Sequence, residues 1–446
     1  MRFVSTGGES LAADLRTALI QGLAPDGGLY LPERMDPIDA SILAGLRGQS
    51  FSAVSRVVAR HLLGSTIPPG DLDRIVDAAL NFEVPLFALS DDGSVSDDGS
   101  IGDDRPTDDV YVLELFHGPT LAFKDVGARF MAQLIGYLNS EDDTPLTILA
   151  AASGDTGSAV AQAFFGVPGV RTVILFPKDK VTPLQERQFS TLGGNVHVLE
   201  VDGTFDDCQR LVKSIFSDPT LGDGVRLSSA NSINIGRLLP QIFYYFHAAA
   251  QLPTETPPLF SVPSGNFGNL TAGLMAKRLG LASRGFVAVT NVNDVVPEYL
   301  RTGVFRPRPP TPTISNAMDV GNPSNLARIL SLYDGDVDRL RKDLVGSVHD
   351  DEETRDCIGR VYRRTGYLLD PHSAVGYLGV EAGHRAFGEG PCVVPCTAHP
   401  VKFREAVEPA IGSSVPVPER LAACLEAERH VTPIPPEISA LRDVLL

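Results

Sequence analysis

The sequence has few cysteines, a shortage of positive charge and no long apolar run, and each of these shortages excludes a class of protein. Five cysteines among 446 residues are few and odd in number, which favours a reducing compartment over a disulfide framework. The net charge of −17 argues against nucleic acid or an anionic membrane as a partner. No apolar run reaches the length of a membrane span, and residues 1–8 lack the hydrophobic core of a signal peptide. We therefore expect a cytoplasmic protein.

Motifs for metal ions and nucleotides are also missing. Cys392 and Cys396 have no second pair of ligands nearby to complete a zinc site, so no metal is expected. The acidic stretch 90–109 lacks the glutamate that closes an EF-hand calcium loop. The glycine loop at 264–269 matches neither a Walker loop nor the Gly-x-Gly-x-x-Gly fingerprint, so a dinucleotide-binding module is a poor interpretation. A small anionic substrate stays compatible with the composition, because it needs only local positive potential.

Short apolar runs alternate with helical patterns from residue 110 onward, and this alternation predicts the fold. A parallel sheet with helices on its faces is the architecture in which strands and helices alternate at this spacing. Ligands of such sheets bind at the carboxyl ends of the strands. The chain is expected to close with a helix between 416 and 435. The predicted strands are 110–115, 146–151, 172–176, 196–199, 259–262, 286–292 and 392–395.

Composition and pattern divide the chain into four parts. Residues 1–89 are expected to form a mainly helical N-terminal domain. Residues 90–109 are acidic and rich in Gly and Ser, so they are expected to form a disordered insertion. Residues 110–144 and 255–446 together form a large α/β domain, and residues 145–254 form a small α/β domain.

The residues around Lys124 form the pattern from which the functional interpretation starts. The apolar strand at 110–115 is broken by residues 117–120, HGPT, and an amphipathic helix follows. Lys124 lies where this helix begins, next to the apolar side chains of Phe123 and Val126. These neighbours and the positive end of the helix dipole both lower the pKa of the lysine. A Schiff base requires a free amine of this kind, although a solvated lysine in a first helical turn fits the same pattern.

Residues 115–125, LFHGPTLAFKD, resemble the cofactor-lysine motif of the threonine synthase family, which belongs to the tryptophan-synthase-β-like (fold type II) pyridoxal-phosphate enzymes. Residues 22–32, GLAPDGGLYLP, are similar to the family's N-terminal signature, and the matches run in the family's order from Gly22 to Phe403. One departure is Gly7, which follows Ser5-Thr6 where the family often has an arginine. The resemblance implies an α/β fold with two parallel-sheet domains, helices on both faces and a small N-terminal helical domain. It also implies that Lys124 holds pyridoxal 5'-phosphate as a Schiff base in the large domain.

A glycine-containing loop at 264–269, SGNFGN, joins a predicted strand to a helix. Glycines let the backbone approach an anion, and N–H groups at a helix start point at it, but a structural turn has the same pattern. The resemblance implies that this loop holds the cofactor phosphate and that Thr397 faces the pyridine nitrogen. His399, in the same motif as Thr397, is interpreted as a satisfied loop histidine. The implied cofactor-binding residues are Lys124, Gly265, Asn266, Phe267, Gly268, Asn269 and Thr397.

Three further segments resemble substrate-binding parts of the family. The loop 153–157, SGDTG, is implied to receive the α-carboxylate of an amino acid, although Asp155 would serve equally as a helix N-cap. Segments 229–237 and 315–325 offer amides and one guanidinium that can clamp a phosphate and an amino group. Hydrogen bonds within these loops are the alternative. The implied substrate residues are Ser153, Gly154, Asp155, Thr156, Asn231, Arg237, Asn316 and Asp319.

The resemblance implies the threonine synthase reaction, in which O-phospho-L-homoserine and water give L-threonine and phosphate. Lys124 is the implied catalytic residue, because an amine released from the cofactor beside the substrate is placed to transfer protons. Two alternatives remain: a serine or threonine dehydratase of the same fold type, and a non-catalytic threonine-synthase-like protein that binds pyridoxal phosphate. A monomer is favoured over a dimer, with neither nucleic acid nor a membrane as a partner.

Overall fold

The computed structural model describes residues 1–89, 109–140, 144–152, 154–216, 218–221 and 225–446. The predicted disordered insertion lies outside these residues except for Asp109, and the predicted site residue Ser153 lies outside them as well. The strands are β1 (Phe3–Ser5), β2 (Tyr30–Pro32), β3 (Leu86–Ala88), β4 (Val110–Glu114), β5 (Leu146–Ala151), β6 (Val170–Pro177), β7 (Val196–Val201), β8 (Arg226–Ser229), β9 (Leu259–Pro263), β10 (Gly285–Thr290), β11 (Leu344–Val348), β12 (Cys392–Cys396) and β13 (Thr432–Ile434).

Helices cover most of the remaining chain, and within the described ranges none is long and apolar enough to cross a bilayer. The helices are α1 (Leu15–Gln21), α2 (Ala40–Ala44), α3 (Phe51–Leu63), α4 (Pro69–Ala79), α5 (Lys124–Leu138), α6 (Asp155–Phe164), α7 (Pro183–Ser190), α8 (Phe205–Phe216), α9 (Ile235–Leu238), α10 (Gln241–Gln251), α11 (Gly268–Arg278), α12 (Val295–Thr302), α13 (Leu326–Leu332), α14 (Val337–Arg341), α15 (Asp351–Thr365), α16 (Pro371–Leu378), α17 (Val380–Phe387), α18 (Arg404–Ile411), α19 (Glu419–Glu426) and α20 (Ile438–Leu445).

The strands form two large sheets and one two-stranded ribbon, β1-β2. The first sheet has six strands in the order β11-β10-β9-β12-β4-β3, all parallel except the antiparallel edge strand β3. The second has five parallel strands in the order β13-β7-β6-β5-β8. Every residue of β5, β9, β10 and β12 is buried, which is typical of parallel strands covered by helices on both faces. The predicted α/β fold with two parallel sheets is confirmed.

The predicted N-terminal helices are present and pack against the six-stranded sheet and its helices. Val54 of α3 and Leu72 of α4 are fully buried in an apolar core that also contains Phe243 of α10 and Phe260 of β9. The same N-terminal region supplies β3, which pairs with β4 at the edge of the six-stranded sheet. Residues 1–89 therefore share a core with the large α/β part, and their separation as a domain stays a prediction.

The prediction of a closing helix between 416 and 435 is wrong over the second half of that range. The helix α19 ends at Glu426, and the chain then forms β13, which pairs in parallel with β7 at the edge of the five-stranded sheet. Three residues carry too little periodicity to indicate a strand, and Pro433 is tolerated there because β13 is an edge strand. We therefore propose that residues 432–445 belong with the small α/β unit, while the other predicted boundaries are unchanged.

Candidate active site

Most of the predicted site residues that the structure describes lie in loops, or in helices that begin there, after the carboxyl ends of parallel strands. In the six-stranded sheet β9, β12 and β4 are neighbours, which brings together the loop 264–269, the Thr397 loop and the turn before Lys124. In the five-stranded sheet β5 and β8 are neighbours, so the loop 154–156 lies beside the loop 230–234. An ion pair between Lys402 and Asp155 joins the two groups of loops. The structure thus brings the predicted cofactor and substrate segments to one region between the sheets.

Lys124 is the first residue of α5, as the sequence pattern predicted. The carboxylate of Asp125 fixes the preceding turn by accepting hydrogen bonds from Thr120 N and Thr120 Oγ1, both at 2.8 Å. The same turn is joined to the loop after β12, because Phe123 N donates to Thr397 O at 2.8 Å. The backbone on both sides of Lys124 is therefore fixed, while the residue as a whole is of intermediate exposure.

The surroundings of Lys124 favour its neutral amine. Burial lowers the pKa of Lys124 to about 8, and the positive charges of Arg237 and Lys402 act in the same direction, against the opposing effect of Asp155. The sequence pattern gave the same direction from apolar neighbours and the helix dipole. The two cations come from distant parts of the chain, so no local pattern around Lys124 contains them.

Lys402 is a functional-site residue that the sequence argument missed. Its side chain is fully buried in the 3₁₀ turn Pro400–Phe403, and its Nζ lies 2.6 Å from Asp155 Oδ1. The same Nζ donates to Thr120 O at 2.8 Å, in the turn that precedes Lys124. Although burial of Asp155 opposes its ionisation, the charges of Lys402 and Lys124 hold the pKa of Asp155 below its usual value. Lys402 and Asp155 therefore form a buried ion pair whose charges both act on Lys124.

The N-cap alternative for Asp155 is wrong. Gly154 occupies the capping position of α6, with a φ of 110°, and Asp155 is the first helical residue with no capping hydrogen bond at this end. The Asp155 carboxylate instead accepts from Gln185 Nε2 at 3.0 Å in addition to pairing with Lys402. The next residue, Thr156, is half-buried. The carboxylate thus faces the region between the sheets.

The loop 264–269 leads from β9 into α11 with a tightly constrained backbone. Phe267 has a φ of 61°, in the left-handed region, which is a strained conformation for a phenylalanine. A Cβ on Gly265 would lie 2.6 Å from Ala317 O, so only glycine fits at that position. Within the described residues, the backbone N–H groups of 265–268 donate no hydrogen bond to the protein. An anion at the start of α11 would supply acceptors for these groups.

The side chains of Asn266 and Asn269 hold this glycine loop in place through hydrogen bonds. Asn266 Nδ2 donates to Ser232 Oγ at 2.7 Å, and Asn266 Oδ1 accepts from Ser324 N at 2.6 Å. Asn269 Nδ2 donates to Pro263 O at 2.8 Å. The predicted cofactor residues Asn266 and Asn269 therefore act on the loop through their side chains, which leaves the backbone to face a ligand.

Arg328 contacts the segments that support these loops, and the sequence pattern did not predict it as a site residue. It is fully buried, and burial lowers the pKa of its guanidinium to about 9. The guanidinium donates to Tyr30 O at 2.9 Å, to Ile233 O at 2.6 Å and to Asn325 Oδ1 at 2.7 Å. Asn325 in turn donates to Asn266 O at 3.0 Å. Arg328 thereby connects the N-terminal signature to the predicted cofactor loop.

Asn231 and Arg237 present unsatisfied polar atoms. Arg237 Nη1 donates to Ala230 O at 2.6 Å, whereas Arg237 Nε and Asn231 Oδ1 are buried without a hydrogen-bond partner among the described residues. Burial lowers the pKa of Arg237 to about 10, and the charge of Asp125 opposes this shift. Buried polar atoms are usually paired in native proteins, so Arg237 Nε and Asn231 Oδ1 are available as a donor and an acceptor for a ligand.

The segment around Asn316 and Asp319 is organised by internal hydrogen bonds. Asp319 Oδ1 accepts from Asn291 Nδ2 at 2.9 Å and from Thr313 Oγ1 at 2.7 Å, and its Oδ2 accepts from Thr313 N at 3.0 Å. Burial raises the pKa of Asp319. Asn316 begins a short 3₁₀ turn and is exposed. Asp319 thus has the loop-stabilising contacts that were the alternative for this segment.

Thr397 is buried next to a hydrogen-bond network that the sequence pattern did not predict. Thr397 N donates to Ser373 Oγ at 3.3 Å, and Ser373 N donates to Asp370 Oδ1 at 3.2 Å. Asp370 also pairs with His372 Nδ1 at 2.7 Å, and His372 Nε2 accepts from Ala317 N at 3.2 Å. The network therefore ties the Thr397 loop to the segment that packs on Gly265. These residues lie at the start of α16, a helix absent from the predicted elements.

The assembled residues fit pyridoxal phosphate. Lys124 offers an amine with a lowered pKa, and the N–H groups before α11 suit a phosphate. Thr397 adds a hydroxyl on the loop that is paired with the Lys124 turn. Among the described residues, no three His, Cys, Asp or Glu side chains are grouped as metal ligands. His399 Nδ1 accepts from Val401 N at 3.2 Å, which is the contact of a satisfied loop histidine.

Comparisons with known proteins cover the whole chain. Three family models match it: "Pyridoxal-phosphate dependent enzyme" over residues 101–398, "Threonine synthase N terminus" over residues 2–80, and "Threonine synthase, C-terminal" over residues 373–445. The threonine synthase of Serratia marcescens is 43% identical over 433 residues, which are 96% of this chain and 95% of that protein.

Solved structures agree with the sequence matches. The crystal structure of threonine synthase from Escherichia coli superposes with a TM-score of 0.87 at 40% identity, covering 100% of this chain and 99% of that one. The pyridoxal-phosphate-bound threonine synthase from Brucella melitensis gives a TM-score of 0.89 at 36% identity, with coverage of 100% and 98%. Similarity of this extent over both full lengths shows that the chain belongs to the threonine synthase family of pyridoxal-phosphate-dependent enzymes.

Proposed function

We propose that this protein converts O-phospho-L-homoserine and water into L-threonine and phosphate, with Lys124 as the catalytic residue. The observation that carries the proposal is the position of the Lys124 amine, which lies between the two sheets with Asp155 and Arg237 among the charges that set its pKa. Two positive groups, Arg237 and Lys402, and one negative group, Asp155, act on this amine, and they suit a substrate that carries a carboxylate and a phosphate as well as an ammonium. The family membership supports the same reaction.

The chain's own residues would hold the cofactor at three points. Lys124 would attach to it covalently, the backbone of residues 265–269 would bind its phosphate, and Thr397 would face its pyridine nitrogen. When bound, pyridoxal phosphate supplies an electron sink for the substrate carbon atoms that lose protons. A hydroxyl partner such as Thr397 accepts or donates one hydrogen bond and does not impose full protonation of the ring, as a carboxylate would.

Lys124 would carry the proton transfers. A general acid–base catalyst works best when its pKa lies near the operating pH, and burial brings the pKa of Lys124 to about 8. In this proposal the amine removes the proton at Cα of the substrate and releases it before it removes one at Cβ, and phosphate leaves from Cγ. Lys124 returns one proton to Cγ and one to Cα, while water adds its hydroxyl at Cβ and gives its proton to the released phosphate, before L-threonine leaves. The fixed backbone on both sides of Lys124 keeps its amine within reach of both carbons.

The substrate's charged groups would bind to the other predicted loops. The α-carboxylate would lie at the start of α6, against Gly154, Asp155 and Thr156, together with Ser153. The substrate phosphate would bind near Arg237 and Asn231, because a guanidinium with an unpaired buried N–H is a strong phosphate donor. We assign Asn316 and Asp319 to the segment that borders the site, with Asp319 acting through the hydrogen bonds that shape it.

The proposal is tested by incubating the purified protein with pyridoxal phosphate and O-phospho-L-homoserine and measuring phosphate and threonine together. Equal release of both, lost in the Lys124→Ala variant, is the expected result. Release of phosphate with a keto acid would mean that water does not add at Cβ. L-serine and L-threonine are supplied in parallel, because turnover of these amino acids alone would identify a dehydratase. A visible cofactor band without any turnover would identify the non-catalytic alternative.

We further propose that the enzyme acts in the cytoplasm as a monomer without nucleic acid as a partner. The net charge of −17 supports the absence of polyanionic partners. Sedimentation equilibrium at micromolar concentration tests the oligomeric state, and a mass of twice 47.6 kDa would contradict the monomer.

A further inference from the structure

The buried ion pair between Lys402 and Asp155 joins the two halves of the proposed site. Lys402 follows β12 of the six-stranded sheet, whereas Asp155 begins α6, which follows β5 of the five-stranded sheet. Their side chains are 0% and 7% exposed, and Nζ lies 2.6 Å from Oδ1. A second link runs parallel to the first, because Gln188 Nε2 of α7 donates to Thr120 O at 3.1 Å, the carbonyl that also accepts from Lys402.

The carboxylate of Asp155 at the start of α6 would repel a substrate carboxylate that binds there, and no residue of the loop 153–157 carries a positive charge to balance it. The proposed function places the substrate's α-carboxylate on this loop, and this inference rests on that proposal. Two carboxylates in one buried site repel each other, and the usual result is that one of them becomes protonated or leaves. Gln185 Nε2 donates to Asp155 but carries no charge. Lys402 is the residue that contacts Asp155 with a positive charge.

We propose that Lys402 is a positioning residue that neutralises Asp155, so that the loop before α6 accepts a carboxylate beside Lys124. The ion pair makes Asp155 and Lys402 together neutral, and the N–H groups at the start of α6 then attract the substrate's carboxylate without an opposing charge. The contact between Lys402 and Thr120 also fixes this pair to the turn that precedes Lys124. Lys402 therefore acts through Asp155 and does not touch the reacting carbons.

The same arrangement explains why Lys402 is buried at such cost. Removing an ammonium from water is expensive, and a buried pair gains little net stability over an apolar pair of equal size. Arg237 and Lys402 are the cations that act on Lys124, and Asp155 is the anion. A neutral side chain at 402 would leave Asp155 unbalanced, which repels a carboxylate and favours the ammonium form of Lys124. The charge of Lys402 thus serves both carboxylate binding and a neutral Lys124.

The test measures binding of two probes to the pyridoxal-phosphate-loaded enzyme by the change in its visible absorbance. L-threonine carries a carboxylate, and L-threoninamide is its uncharged counterpart at that group. For Lys402→Met we expect L-threonine to bind at least about tenfold more weakly and L-threoninamide to change by less than about twofold, because only the first probe meets the unbalanced carboxylate. The matched control is Lys277→Met, which breaks a Lys–Asp pair with Asp343 at 2.7 Å outside the proposed site. It should change neither affinity.

The double variant Lys402→Met/Asp155→Asn removes both charges and keeps the test valid if the single variant does not fold. We expect it to regain the wild-type ratio of L-threonine to L-threoninamide affinity within about threefold, since the repelling charge is gone. Three outcomes would overturn the inference: wild-type affinity for L-threonine in Lys402→Met, equal weakening of both probes, or a double variant without the preference for the carboxylate. The proposed function fails separately, if the wild type loads the cofactor but forms no threonine.

Discussion

Two loops of the proposed site begin helices in the same way and treat charge in opposite ways. The loop before α6 leads into a carboxylate, that of Asp155 in the first helical position, which is balanced by the buried Lys402. The loop before α11, residues 264–269, contains no charged side chain and is held by the amide of Asn266. Both loops follow parallel strands and place helix N–H groups at the proposed site. Under the proposed function, the first loop forms an anion site by balancing charges and the second by shaping a neutral backbone.

The two designs predict different sensitivities. A charge-balanced loop depends on the ionisation of both partners, so it should respond to pH and to removal of one charge. A neutral loop depends on close backbone packing, so it should respond to added volume and to loss of the groups behind it. Removal of a charge, added volume and a change of pH separate these responses.

The largest effect is expected for Lys124→Ala. Loss of the covalent attachment and of the proton-transfer group should lower the rate of threonine formation by about 10³-fold or more. The neutral loop before α11 should still bind the cofactor phosphate, so pyridoxal phosphate should bind reversibly and be removable by dialysis. Stopped assays of threonine and absorbance before and after dialysis measure both effects. Retained activity would remove Lys124 from the mechanism.

Arg328→Met should remove support from the loop at 264–269, because Arg328 holds Asn325, which in turn donates to Asn266 O. The change removes three hydrogen bonds of a buried guanidinium, to Tyr30 O, Ile233 O and Asn325, and should lower the free energy of unfolding by about 2–4 kcal/mol. Urea unfolding monitored by circular dichroism measures this loss. Arg339→Met is the matched control, because its partner Asp334 is exposed and the loss should stay below about 1 kcal/mol. Equal losses in both variants would contradict the connecting role of Arg328.

Gly265→Ala should weaken cofactor binding through volume alone. The added Cβ would lie 2.6 Å from Ala317 O and 2.8 Å from Met318 Cα, which are backbone atoms that cannot move aside without a shift of the loop. We expect the dissociation constant of pyridoxal phosphate to rise by about tenfold, since overpacking of this kind costs about 1–3 kcal/mol. The control is Gly70→Ala on α4, where a Cβ meets nothing within 4 Å. An unchanged dissociation constant for Gly265→Ala would show that the loop tolerates the shift.

The smallest expected effect is the dependence of cofactor capture on pH. Burial disfavours the ammonium form of Lys124, so its pKa of about 8 in the folded protein lies below the ordinary value of 10.5. The amine is therefore mainly neutral above pH 8 and mainly protonated below it. The rate at which the apoenzyme captures pyridoxal phosphate should rise as pH increases through about 8, by about tenfold per unit on the acid side. A rate that stays flat from pH 6 to 9 would contradict the lowered pKa.

Lys402→Met sharpens the pH comparison. The positive charge of Lys402 opposes protonation of Lys124, so its removal should raise the pKa of Lys124 and move the capture midpoint to higher pH. Gly265→Ala should lower cofactor affinity without moving this midpoint, because it changes volume and no charge. Capture rates of both variants across the same pH series make the comparison. If the midpoint moves in Gly265→Ala and not in Lys402→Met, the result would contradict the dependence of the loop before α6 on charge and of the loop before α11 on backbone packing.

Much of the fold and part of the candidate site could be predicted from local sequence. The strand before Lys124 and the helix that starts there were predicted at their observed places, since apolar periodicity and a Gly-Pro break are local signals. The strands β5, β7, β9 and β12 were predicted for the same reason. The short edge strand β13 was missed, because three residues carry no periodicity and its pairing with β7 is decided by packing.

The site residues that were missed share one property, which is that their partners are distant in sequence. Lys402 contacts Thr120 across 282 residues, and Arg328 contacts Tyr30 across 298 residues. No spacing rule connects such positions, and each residue by itself is an ordinary cation in a loop or helix. Asp370 and His372 are likewise unremarkable in sequence and gain meaning only from the contact of His372 with Ala317 N.

The sequence by itself determined the alternation of strands and helices, the place of Lys124 at a helix start and the two glycine loops, because these follow from periodicity and from the backbone limits of Gly and Pro. The motifs around them indicated the family. Only the tertiary structure decided which charges surround Lys124, that Asp155 pairs with Lys402 instead of capping its helix, and that Arg328 supports the neutral loop. The physical reason is that charge balance and desolvation depend on distances between residues far apart in the chain, which folding alone sets.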